Sequence, residues 1–134
     1  MRKKKSKYEL MKKIEKVIEE LNYNVDLVIV EGTHDEKALR RYGYNKIILK
    51  FSSSRKPMYL FVDEIVSKYR GKKIAILLDY DKEGEIISKK LENQLEERGL
   101  RVEKHWRKII KELMAKEGMM TIEELTALKR KAIY

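Results

Sequence analysis

The sequence contains no cysteine and only two histidines, His34 and His105. A zinc site of the usual Cys/His kind therefore cannot be assembled. The absence of thiols agrees with a cytosolic protein, though by itself it says nothing about redox. No window reaches eighteen apolar residues, which excludes a membrane-spanning helix. The opening residues, MRKKKSKYEL, lack the apolar stretch and small-residue cleavage site of a secretory signal. Together these absences predict a cytoplasmic protein with no membrane partner. There are no internal repeats, low-complexity tracts or linkers. A single Gln beside abundant Lys and Glu leans toward a thermophilic source, against which six Met weigh.

What is present is charge. The chain has 134 residues, 43% of them hydrophobic and 40% Asp, Glu, Lys or Arg. That predicts one globular unit with a packed core and a densely charged surface. Lys and Arg number 32 against 22 Asp and Glu, a net charge of +10, with basic clusters RKKKSK near the start and KRK near the end. Such an excess favours a polyanionic partner through counterion release. A solubilising surface and a frayed basic arm account for the same numbers.

Along the chain, Tyr8, Met11, Ile14, Ile18 and Leu21 recur at three- and four-residue steps and predict an amphipathic lid helix. DLVIV is a short β-branched run ending at Glu31-Gly32. Thr33 and Glu36 then have the spacing of a capping box for a helix through about Arg41. KIILKF predicts a second strand, SSSRK a loop, and Pro57 opens a helix that Gly71 closes. KKIAILL has the look of a central parallel strand, apolar on both faces. A helix over Glu83 to Arg98 ends at Gly99, LRVEKHW supplies a fourth, shorter strand, and two helices close the chain, the second behind a capping box at Thr121 and Glu124. Strand and helix alternating through short links predict an α/β, three-layer, Rossmann-like sandwich with a four-stranded, mainly parallel sheet.

Against this basic background, LLDYDKEGE places four carboxylates within seven residues. In open parallel sheets ligands gather outside the carboxyl ends of the strands. Glu31 ends the first strand and Asp79 the third, so two acids distant in sequence are expected on one edge, with Asp81 and Glu83 following. Two bare carboxylates about 4 Å apart repel by roughly 4 kcal/mol at an effective dielectric near 20. Lys82 supplies one compensating charge. Converging hard oxygens suit Mg²⁺, its shell completed by water and a substrate phosphate. The predicted metal ligands are Glu31, Asp79 and Asp81, supported by Glu83 directly or through water. The plainer account makes Asp81 and Glu83 first-turn acids favourable to a helix dipole; it fails for Asp79, which follows a buried aliphatic run.

VIVEGTHDEKAL followed some fifty residues later by ILLDYDKEGE resembles the Toprim domain of type IA topoisomerases, bacterial primases, OLD-family nucleases and small ribosomal-RNA maturation nucleases. The resemblance covers about residues 24–106, leaving 1–23 as a basic arm and amphipathic helix and 107–134 as a helical extension. The whole chain is most similar to small single-domain Toprim proteins of archaea, a match that carries no reaction of its own. The resemblance implies Mg²⁺-dependent phosphotransfer, with one or two ions and Mn²⁺ as a substitute. Glu31 would be metal ligand and general acid or base, and Asp79 and Asp81 would hold the metal.

Two readings of function follow. One is an enzyme, a nuclease or phosphoryl-transfer protein acting on nucleic-acid phosphodiesters, RNA or DNA. The other is a non-catalytic module that binds nucleic acid within a larger RNA-processing or DNA-repair assembly. In both, Lys50, Arg55 and Lys56 of the KFSSSRK loop, with Lys82, are candidate phosphate contacts; a plain capped loop explains the first three equally well. A topoisomerase acting alone is excluded by the lack of a second domain, and strand alternation turns Tyr80 away from the acids. A primase is excluded by the missing zinc ligands. A two-component receiver and an aspartyl-phosphate hydrolase fail on where DYDKEGE sits relative to its strand. His34 is expected to be a polar residue of an exposed first helical turn, and Trp106 an anchor for the closing helices.

Overall fold

A computed structural model describes residues 2–133, apart from the side chains of residues 2–4 and of Ser53. The charged groups of Arg2, Lys3 and Lys4 in the expected basic arm therefore lie outside the described residues. Eleven elements follow in order: α1 (Arg2–Asn24), β1 (Leu27–Val30), α2 (Thr33–Arg41), β2 (Ile47–Lys50), a 3₁₀ turn (Ser52–Ser54), α3 (Met58–Tyr69), β3 (Lys73–Ile76), α4 (Lys82–Glu97), β4 (Arg101–Val102), α5 (His105–Ala115) and α6 (Glu124–Ile133).

The sheet has the order β2-β1-β3-β4, and every pairing is parallel. Side-chain alternation sorts the two inner strands between two cores. Val28, Val30, Ala75 and Leu77 face α1, α2, α5 and α6, whereas Leu27, Ile29, Ile74, Ile76 and Leu78 face α3 and α4. This is the three-layer α/β sandwich expected, and the aliphatic runs of β1 and β3 are uninterrupted because both faces are covered. β2, at the edge, is partly exposed.

The lid helix is longer than its stripe suggested. Met11, Ile14, Ile18 and Leu21 are buried, each Ile or Leu adding about 1.5–3 kcal/mol. Tyr8 departs from the expectation: it is 46% exposed, its ring lies beneath Lys12 Nζ, and Leu10 takes the buried place. The fourth strand is also shorter than LRVEKHW, because His105 and Trp106 already belong to α5. Trp106 is buried among the closing helices, as expected of an anchor.

Helix ends account for the turns. α3 begins behind Pro57 as its N-cap, and Gly71 and Gly99 follow α3 and α4 with φ of +81° and +83°, where a side chain would be strained. At α2 the cap differs from the one expected: the Asp35 carboxylate, not Glu36, accepts the Gly32 N–H at 2.9 Å. Glu36 instead pairs with Lys50 and Arg40. Before α6, Glu124 does reach back to the Thr121 N–H at 3.1 Å. No helix among the described residues is long and apolar enough to cross a membrane.

Candidate functional site

Both inner strands run in the same direction, so the chain leaves them on one edge. Glu31 follows β1 directly. Asp79 lies three residues beyond β3, slightly further than its strand-end expectation; the pairing persists only to the Leu77 N–H on the Ile29 carbonyl, 2.8 Å. Asp81 is the N-cap of α4, with Oδ1 accepting the Gly84 N–H at 2.7 Å. Gly84 permits that approach, since a Cβ there would run into the Asp79 carbonyl. Glu31, Asp79, Asp81 and Glu83, with Gly84 and Ile87, line one cavity of about 100 Å³, room for a cation and several waters.

Three of these acids are anchored through one oxygen each. Ser52 Oγ donates to Glu31 Oε1, the Ile122 N–H donates to Asp79 Oδ1 at 2.9 Å, and Gly84 holds Asp81. The opposite oxygens are left for a ligand. As the side chains stand, no group of three or more acids or histidines among the described residues closes on a single point. The donor set nonetheless fits a hard divalent ion: it is all carboxylate oxygen, and its charge is uncompensated.

Elsewhere among the described residues, unpaired acids such as Glu9, Glu19 and Glu112 are exposed, whereas at this edge Glu31, Asp35, Asp79 and Asp81 are buried or partly buried. Among the described residues, Glu31, Asp35, Asp79, Asp81, Glu83 and Glu123 make no ion pair, although nearby Glu36 and Glu85 do. The electrostatic consequence is direct. Burial, then the charges of Asp81, Glu31 and Glu123, push the Asp79 carboxyl above the usual range despite the Ile122 hydrogen bond. Asp35, 6% exposed, is pushed up to about 6 by burial and by Asp79, Glu123 and Glu31, with the Gly32 N–H opposing.

Asp35 and Glu123 were not singled out in the sequence. Asp35 had a signal: it shares the buried stripe of α2 with Ala38 and Leu39, where a carboxylate is out of place. Glu123 had none, because its proximity depends on α6 folding back. Arg107 is the third omission. From α5 it donates to the carbonyl of Leu78, to that of Asp79 at 2.8 Å and to Glu85, and it lies 4.3 Å from the Tyr80 ring centroid. Glu85 is turned out of the acid group by this contact. Burial pushes its carboxyl up, but Lys111 and Arg107 outweigh that and hold it below the usual range. Tyr80 points into the core, away from the acids, and its hydroxyl donates to the Arg107 carbonyl at 2.9 Å.

The candidate phosphate contacts are scattered. Strand order puts β1 between the KFSSSRK loop and Asp79, so this loop serves Glu31 through Ser52. Lys50 pairs with Glu36 at 3.1 Å and Lys56 with Glu64. Arg55, in a left-handed conformation at φ 54°, and Lys82 are exposed and make no ion pair among the described residues. His34 is exposed in the first turn of α2, as expected.

The Toprim domain profile matches residues 26–113. The chain is 36% identical over 122 residues to a UPF0292 protein of Thermococcus gammatolerans, spanning 91% of this chain and 87% of that one. It is 30% identical over 128 residues to a UPF0292 protein of Methanocaldococcus jannaschii, spanning 94% and 97%. A solved structure of a protein from Aquifex aeolicus superposes with a TM-score of 0.65 at 29% identity, covering 81% of this chain and 94% of that one.

Proposed function

The chain belongs to the Toprim domain family, and from that premise we propose that it is a Mg²⁺-dependent enzyme of nucleic-acid phosphodiesters, working by hydrolysis or phosphoryl transfer. The observation that carries this reading is the unpaired acid group, Glu31, Asp79, Asp81 and Glu83, around one small cavity in a chain of net charge +10. A basic protein that leaves such a cluster bare has reserved it for a cation.

Asp79 and Asp81 would hold the ion through their free oxygens, with Glu31 as third ligand and Glu83 supporting through water. A bound Mg²⁺ supplies charge stabilisation at the attacking and leaving oxygens of the phosphate; Mn²⁺ substitutes, and one or two ions can serve. Glu31, oriented by Ser52, moves the proton of the attacking water. Asp35 fixes the turn that presents Glu31 by holding the Gly32 N–H. Lys82 stands beside Asp81 to meet a substrate phosphate, and Arg55 offers a second cation at the far side of Ser52.

Single- and double-stranded RNA and DNA, incubated with Mg²⁺ or Mn²⁺, form the test, with Glu31→Gln and Asp79→Asn alongside. Cleavage should fall by about 10²-fold or more in Glu31→Gln, and Mg²⁺ uptake by calorimetry should disappear in Asp79→Asn. Cleavage surviving both substitutions refutes the assignment. Binding without cleavage by the unaltered protein would favour the adaptor role in a larger protein or ribonucleoprotein assembly.

A further inference from the structure

A second concavity, of about 620 Å³, lies between α2 and α6 and is lined by His34, Lys37 and Arg41 from one side and Glu123, Thr126 and Arg130 from the other. Seven residues separate His34 from Arg41 and Glu123 from Arg130, so the two walls match turn for turn over two helical turns, about 10 Å. His34 and Glu123 stand at the end nearest the strand tips. Ile122, next to Glu123 in the chain, donates its N–H to Asp79 Oδ1 at 2.9 Å, so this end of the recess adjoins the acid cavity.

Lys37, Arg41 and Arg130 are exposed and make no ion pair among the described residues, whereas many other cations of the chain are paired. The floor is fixed. The Tyr42 hydroxyl donates to the Leu125 carbonyl at 2.7 Å, and Lys129 bridges Glu15 and the Arg41 carbonyl at 3.1 and 2.6 Å. Of the two carboxylates on the rim, Glu124 is spent on Thr121 at 2.8 Å, while Glu123 is exposed at the end beside Ile122, the residue that anchors Asp79.

We propose that this recess seats the sugar-phosphate backbone of single-stranded nucleic acid and leads it to the acid cavity. Lys37, Arg41 and Arg130 neutralise consecutive phosphates, the Thr126 hydroxyl adds a hydrogen bond, and Glu123 marks where the strand passes from basic to acidic surroundings. Helix axes packed about 8–10 Å apart leave a trough far narrower than a whole double helix, so one backbone can lie along its floor while a duplex would reach only its rim. A charged trough that tracks one backbone is a general solution for single-strand binding. The inference rests on the phosphodiester reading above and names the surface that reading lacks.

The test is anisotropy of fluorescein-labelled single-stranded DNA and RNA dodecamers and of the matching duplexes, in EDTA so that no turnover intervenes. The triple variant Lys37→Ala, Arg41→Ala, Arg130→Ala is compared with Lys68→Ala, Arg70→Ala, Lys72→Ala, which removes equal charge from exposed positions on the amino edge of the sheet. Removing three phosphate contacts should weaken single-strand binding roughly 10- to 100-fold and lower the log-log salt slope by about 2. The control should change affinity by less than about threefold. Equal loss in both triples, or an unchanged groove triple, overturns the seat while leaving the catalytic reading standing. A preference of the unaltered protein for duplex overturns the single-strand occupant. Glu31→Gln removes one of the bare acids the strand approaches, so it should bind single strands at least as tightly as the unaltered chain while losing cleavage with Mg²⁺. Weaker binding would overturn the separation of seat and acid cavity. No binding to any oligonucleotide refutes seat and phosphodiester reading together.

Discussion

Replacing Asp35 with Asn tests whether the acid group is as poorly compensated as its geometry indicates. The carboxyl, shifted from 3.8 to about 6 in the fold, binds its proton more tightly folded than unfolded. Its contribution to stability is therefore fully present below pH 3.8 and lost as pH rises through about 6. At 1.36 kcal/mol per unit, the shift amounts to about 3 kcal/mol. Asn keeps an oxygen for the Gly32 N–H and cannot ionise. Metal-free Asp35→Asn should match the unaltered protein near pH 4 and exceed it by up to about 3 kcal/mol at pH 8, about 10 °C in melting temperature. Mg²⁺ should narrow that gap, because a cation among Glu31, Asp79 and Asp81 stabilises the ionised Asp35. Melting curves from pH 4 to 8, with EDTA and then with Mg²⁺, measure both effects. A difference that does not vary with pH refutes the argument. A difference untouched by Mg²⁺ keeps the burial account and removes the ion from Asp35's surroundings.

Arg107→Met removes the donors to two backbone carbonyls and to Glu85, and should cost about 1–3 kcal/mol in urea unfolding. Lysine should recover only part of this, because it lacks the planar fork that spans Leu78, Asp79 and Glu85. Gly84→Ala forces the Asp79 carbonyl aside; a loss of about 1–3 kcal/mol or more is expected, with weakened Mg²⁺ uptake by calorimetry. Trp106→Phe should cost less than about 2 kcal/mol in the same unfolding assay, because the buried indole N–H has no hydrogen-bond partner among the described residues.

The layered fold was legible because the runs DLVIV and KKIAILL carry no polar interruption, which only strands covered on both faces sustain. Strand order was not legible. Nothing local in KIILKF distinguishes pairing with β1 from pairing with β3, and that choice decides that Ser52 serves Glu31 rather than Asp79. At the site, Glu31, Asp79, Asp81 and Glu83 could be named from their places after the strands, and they do share one cavity. Asp35 was masked by Glu36, which has the better capping-box spacing from Thr33 but is drawn to Lys50 and Arg40. Arg107 and Glu123 act across 28 and 44 residues of chain from Asp79, and in a sequence this rich in charge no local pattern marks such a partner.

The Ile122 N–H on Asp79, and the Tyr80 N–H on the Met120 carbonyl at 2.6 Å, tie the segment before α6 to the chain just beyond β3. During synthesis Glu31, Asp79 and Asp81 leave the ribosome well before Ile122 does. A nascent chain therefore exposes its acids with Asp79 unsecured and the α6 wall of the trough still missing. The acid cavity is completed only when this late segment docks, so its formation is tied to the packing of α6 and not to the sheet alone.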